Sequence, residues 1–87
     1  MDWSKFAWVK RGRRRSATLA IFNETTVPLT INEVHERTKI AISQASATVS
    51  ELEKMGLIEC LNASDKIGKL YRITREGKEI ISKLDEK

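Results

Sequence analysis

Two helix signatures set close together between Thr30 and Gly56 constrain this 87-residue chain more than any other feature. Thr30-Ile31-Asn32-Glu33 has the spacing of a capping box, in which the threonine hydroxyl takes the N3 amide and the glutamate reaches back to the cap. A helix therefore starts at Ile31, carries Ile31 and Val34 as apolar positions, and ends near Thr38 or Lys39 after about two turns. Ile40 and Ala41 make a short apolar turn. A second helix then runs over residues 42–55, with Ala45, Val49 and Leu52 at i, i+4 and i+7 on one stripe. Gly56 follows directly, the residue type best suited to left-handed backbone at a helix C-terminus.

After this pair, Leu57-Ile58-Glu59-Cys60-Leu61-Asn62 reads as a strand, residues 63–68 as a Gly-containing turn, and Lys69-Leu70-Tyr71-Arg72-Ile73 as the return strand. Thr74 caps a final helix from Arg75, whose apolar positions are Ile80, Ile81 and Leu84. The expected fold class is mainly α with a small β-hairpin (α+β).

Ahead of the pair, Trp3, Phe6 and Val9 fall at spacings of three and share one face of a short helix. Gly12 interrupts. Arg13, Arg14 and Arg15 then occupy the first turn of a core helix in which Ala17, Ala20 and Ile21 mark the expected buried stripe. Three arginines at a helix N-terminus oppose the macrodipole, at about 0.3–1 kcal/mol each, unless an anion lies nearby. They belong to a local excess: Lys5, Lys10, Arg11, Arg13, Arg14 and Arg15 stand against Asp2 alone in residues 1–22. The rest of the chain carries a net charge of −1, within +4 overall. Such a cluster is an electrostatic footprint for a polyanion, although a solvated charge run is its ordinary reading.

Length and composition narrow the function classes. The chain is read as one domain over 1–87, with an aromatic and basic extension over 1–12 and a core over 13–87. It is near the size at which a single core is only marginally sufficient, so a second copy would help. No apolar stretch approaches the roughly 20 residues of a membrane span, and the N-terminus lacks a secretory core; a cytoplasmic, nucleoid-associated location is expected. Cys60 is the sole cysteine, expected as a small buried residue on its strand, and His35 the sole histidine, expected at a helix surface or boundary. They are too few for a metal site. With no acid–base pair beside a phosphate loop and no nucleophile near a histidine, neither catalysis nor a cofactor is expected.

Opposite the Ala45, Val49, Leu52 stripe lie Ser43, Gln44, Ser46, Ala47 and Ser50, small or amide side chains that permit close approach to base edges. Gln44 can pair bidentately with adenine, the serines can donate to phosphates, and Ala47 can meet a thymine methyl. Lys66 and Lys69 at the hairpin tip, with Arg72 on the return strand and Arg75 just beyond, are placed to reach a nucleic-acid backbone.

Trp8-Val9-Lys10-Arg11-Gly12-Arg13-Arg14, Ser50-Glu51-Leu52-Glu53-Lys54-Met55-Gly56-Leu57-Ile58 and Leu70-Tyr71-Arg72-Ile73-Thr74-Arg75-Glu76-Gly77-Lys78 resemble winged helix-turn-helix regulators of the MarR and ArsR type, most of all small archaeal members. The resemblance covers residues 8 to 84. It implies a winged helix with an extra N-terminal helix, transcriptional regulation, double-stranded DNA as partner, a homodimer, and the helix over 42–55 in the major groove. Such recognition helices often carry Arg or Lys on the groove side; here that side is uncharged and Glu51 and Glu53 follow. Base-specific affinity is then modest, and backbone contacts fall to Lys10, Arg11, Arg13, Arg14, Arg15 and the wing over 62–69. The rival reading is a protein-interaction module of the same fold, for which Trp3, Phe6 and Trp8 would be anchors; in the regulator they are expected at the dimer contact.

Overall fold

The helix pair forms as its caps require. In the computed structural model, which describes residues 1–63 and 68–86, Thr30 Oγ1 accepts from the Glu33 amide at 3.2 Å and the Glu33 carboxylate accepts from the Thr30 amide at 3.0 Å. Helix α3 runs Ile31–Thr38 and α4 runs Ile42–Lys54. Between them Lys39 is left-handed at φ 65°, a conformation that costs a non-glycine residue roughly 1–2 kcal/mol. Side chains hold the turn: the His35 ring nitrogen Nδ1 hydrogen-bonds with the Ile40 carbonyl, and Thr38 Oγ1 donates to the Val34 carbonyl at 2.8 Å.

The far end of α4 closes as a Schellman motif. The Leu57 amide donates to the Leu52 carbonyl and the Gly56 amide to the Glu53 carbonyl, both at 3.0 Å, with Gly56 at φ 76°. Ala45, Thr48, Val49 and Leu52 are the buried residues of α4, which includes the whole expected stripe.

Helices α1 (Trp3–Arg11) and α2 (Arg13–Glu24) precede this unit; strands β1 (Ile58–Cys60) and β2 (Tyr71–Ile73) and helix α5 (Arg75–Asp85) follow it. The strands pair antiparallel in the register Ile58↔Ile73, Glu59↔Arg72, Cys60↔Tyr71. They are shorter than the sequence suggests, for reasons visible at both ends. Leu57 spends its amide on the α4 cap and its carbonyl on the Thr74 amide. Outward, one further bond joins the Leu61 amide to the Leu70 carbonyl at 2.8 Å. The Asn62 side chain then replaces the backbone, its Oδ1 accepting from the Leu70 amide at 2.7 Å. Leu29, in the loop after α2, bridges Tyr71 from the other side with two bonds of 2.9 Å, a pairing that its sequence does not announce.

The buried stripe of α2 is Thr18, Leu19 and Phe22 rather than Ala17, Ala20 and Ile21. Ala17 is exposed, and Ala20 and Ile21 are half-buried. Apolar area decides the phase: a phenylalanine and a leucine bury far more of it than two alanines. Cys60, expected to be buried, is half-buried on β1. Val9 of α1 is fully buried in the same core as Leu19, Leu52 and Ile80, and α1 packs against α2 and α5. Asp2 caps α1 by accepting from the amides of Ser4 and Lys5, and Lys5 Nζ reaches Glu76 on α5 at 2.8 Å.

Candidate nucleic-acid interface

Helix α4 turns its core stripe inward and thereby fixes what it shows to solvent. Ser43, Gln44, Ala47 and Ser50 are exposed and Ser46 is half-buried, a surface without a charged side chain until Glu51. Small side chains let a partner's edge approach the helix backbone closely.

Two basic features lie around the helix pair that carries this surface. At the α1–α2 junction, Arg11 to Arg15 line a shallow cleft with Thr48 and Glu51 of α4. Gly12 is the N-cap residue of α2, which therefore has no side-chain cap, and no acid lies in its first turn. The arginines divide into two kinds. Arg15 lies over the Trp8 ring at 4.2 Å, donates from a guanidinium nitrogen to the Trp8 carbonyl at 2.8 Å and is half-buried. It crosses Gly12 so closely that a Cβ there would stand 2.5 Å from its side chain. Arg11, Arg13 and Arg14 are exposed and, among the described residues, make no side-chain hydrogen bond or ion pair.

The second feature is the neck of the hairpin. Gly68 and Lys69 line a crevice with Thr30, Ile31 and Asn32 at the start of α3. Lys69 is exposed. The neck is clamped by Asn62, whose Nδ2 also donates to the Gly68 carbonyl at 3.3 Å. Sequence reasoning gave Asn62 only as the end of a strand; an asparagine flanking a Gly-containing turn was the available signal. Lys66 lies outside the described residues. Arg72 is exposed and pairs with Glu59 on the adjacent strand at 2.9 Å, so it reaches outward only by giving up an exposed ion pair worth at most about 1 kcal/mol. Arg75 is exposed at the start of α5.

These features bracket α3. Lys69 sits by its N-terminus, while Arg13 and Arg14 share a small cavity with Thr38 and Ile40 at its C-terminus. At 1.5 Å per residue α3 is about 12 Å long, so cations stand at both ends of the scaffold helix that carries α4.

The aromatic residues of α1 fare differently from one another. Trp3 is 57% exposed and meets Phe6 edge-on at 5.5 Å, with Lys83 5.9 Å from its ring. Phe6 is half-buried, with Lys10 over it at 5.9 Å. Trp8 is half-buried against the core beneath Arg15. Among the described residues, no group of three or more His, Cys, Asp or Glu side chains could hold a metal ion, and no helix is long and apolar enough to cross a membrane.

No protein-family model matches the sequence, and no curated protein matches it either. The fold is nevertheless shared with solved structures. The transcriptional regulator SlyA superposes with a TM-score of 0.76 at 22% identity, over 92% of this chain and 56% of that one. Apo MarR from E. coli gives 0.71 at 21% identity, over 82% and 53%. A mutant of MepR from S. aureus bound to an oligodeoxyribonucleotide gives 0.71 at 21% identity, over 80% and 52%. The chain spans about half the length of these structures. Its fold is that of the winged-helix regulators, five helices with a two-stranded antiparallel hairpin. The arrangement of its elements is similar to that of the MarR structures.

Proposed function

We propose that this chain is a double-stranded DNA-binding transcriptional regulator without enzymatic activity, acting at the nucleoid as a homodimer. Helix α4 enters the major groove, with Gln44, Ser43, Ser46, Ala47 and Ser50 toward the bases. Arg11, Arg13 and Arg14 on one side and the hairpin, through Lys69, Lys66 and Arg72, on the other take the phosphates. One observation carries this reading: α4 shows solvent an uncharged face of small and amide side chains, with the exposed cations Arg11, Arg13 and Arg14 beside α4 and the exposed Lys69 beside the start of α3. A base-reading helix requires close approach, and the duplex backbone requires positive charge on either side of it. The solved MepR complex with an oligodeoxyribonucleotide supports the same use of the fold.

Because the cations lie mainly outside α4, binding is dominated by phosphate neutralisation. The logarithm of affinity then falls with the logarithm of salt concentration by about 0.9 per phosphate engaged. Gel-shift titrations with random-sequence duplex at several salt concentrations test this. Retention that weakens steeply with salt is the expected result. No retention even at low ionic strength would leave the protein-interaction reading, with Trp3 and Phe6 as the contact.

A further inference from the structure

The crevice between the first two turns of α2 and the α3–α4 turn is lined by Thr18, whose buried hydroxyl nothing in the fold uses. Thr18 is fully buried, and its Oγ1 is the one buried side-chain oxygen or nitrogen among the described residues with no hydrogen-bond partner. The omission is local. The other threonines inside helices, Thr38 and Thr48, each donate to the carbonyl four residues back at 2.8 Å, the usual resolution for a threonine in that position. Thr18 instead carries the full desolvation cost of an unpaired hydroxyl.

Thr18 lines a cavity of about 210 Å3 together with Arg13, Arg14, Ala17, Thr38 and Ile40. Arg13 and Arg14 are the exposed members of that wall with unspent guanidinium donors, at the start of a helix with neither a side-chain cap nor an acid in its first turn. Positive charge is therefore concentrated where the macrodipole already makes the potential positive. Ala17 and the half-buried Ile40 complete the cavity wall with apolar side chains.

We propose that this crevice is a phosphoryl-oxyanion site, held by Arg13, Arg14 and the Thr18 hydroxyl. Donors on three separate side chains suit a tetrahedral oxyanion, which offers more acceptor oxygens than a planar carboxylate. The cavity is smaller than the roughly 300 Å3 at which ordinary small-molecule pockets begin, so it takes one phosphoryl group rather than an extended ligand. Two sources supply that chemistry, a phosphodiester of the DNA backbone and a free phosphate. The first rests on the function proposed above, and the second stands without it.

Thr18→Val tests the site with little risk to the fold, since it exchanges an unpartnered hydroxyl for a methyl group of similar size; its melting temperature should equal or exceed that of the parent. Two arms are read on the full chain. In the first, amide NMR spectra are titrated with inorganic phosphate against a chloride control of equal ionic strength. Saturable shifts at residues 13–18 and 38–40, weakened roughly tenfold by Thr18→Val as for a lost hydrogen bond to a charged acceptor, support the site. In the second, duplex binding should weaken by about the same factor. Its effect and that of Arg14→Gln should combine less than additively, because both act on one phosphate. Phosphate shifts with unchanged duplex affinity assign the site to a free phosphate. Failure of the parent to bind duplex removes the DNA source and leaves the phosphate arm decisive. No saturable shift together with parental duplex binding by Thr18→Val overturns the site while leaving DNA binding intact.

Discussion

Thr74 Oγ1 donates to the Gly56 carbonyl at 2.7 Å while accepting from the Gly77 amide at 3.1 Å, so one hydroxyl joins the end of α4 to the start of α5. The two joints that frame the hairpin are thus a single structure. Thr74→Ala removes both bonds. An N-cap alone is worth about 1 kcal/mol, and the freed Gly56 carbonyl adds to that, so a loss of roughly 1–2 kcal/mol is expected in urea unfolding. Thr74→Ser should keep most of the parent's stability, and an alanine variant as stable as the serine one would show that neither bond matters.

Gly77 has no unusual backbone angle, yet its replacement should be among the most damaging in the chain. A Cβ there would stand 2.2 Å from the Leu57 carbonyl oxygen and 2.7 Å from Ile73 Cγ1, and the first of these is backbone. Alanine normally stabilises a helix by about 1 kcal/mol over glycine. Here the sign should reverse, because α5 must move away from the Leu57 backbone to make room. Thermal unfolding of Gly77→Ala at a melting temperature well below the parent is the expected outcome. Gly68, at φ 67° and with no described residue within 4 Å of an added Cβ, should cost only the roughly 1–2 kcal/mol of left-handed backbone on the same substitution.

Tyr71 is buried on β2, and burial, followed by the nearby Cys60 and Glu53, pushes its phenol above the usual value of 10.0. The folded state therefore favours the neutral phenol. Its contribution is fully present below pH 10 and is lost as pH rises through the higher folded value. Urea midpoints measured from neutral to strongly alkaline pH should fall more steeply for the parent than for Tyr71→Phe. Parallel curves would mean that other groups drive alkaline unfolding.

Much of this architecture was legible because local chemistry and tertiary packing agree. The capping box at Thr30 and Glu33, the stripe of α4 and the Gly56 stop are each encoded within a few residues, and each forms where expected. The phase of α2 was not legible, since Ala17, Ala20 and Ile21 satisfy the same periodicity as Thr18, Leu19 and Phe22, and only the shape of the core chooses between them. The bridge from Leu29 to Tyr71 is non-local, and a single bridging residue leaves no pattern. For the candidate site, residue type pointed to the arginines as a group. It could not separate Arg15, which Trp8 holds by stacking and by its carbonyl, from neighbours that nothing holds.

That separation has a measurable consequence. Arg15→Gln removes a cation from an aromatic face and a bond to the carbonyl at the end of α1, a partly buried arrangement worth about 1–2 kcal/mol. It should lower the unfolding midpoint and leave the salt dependence of duplex binding near that of the parent. Arg14→Gln removes a cation that has no partner in the fold and opposes the helix dipole, so the midpoint should hold or rise slightly. Duplex binding should instead weaken, and the slope of log affinity against log salt should fall by about 0.9, one phosphate's share. Paired urea and gel-shift series on the two variants read this directly. If Arg15→Gln changes the salt slope and Arg14→Gln changes only the midpoint, the assignment of the two arginines is reversed.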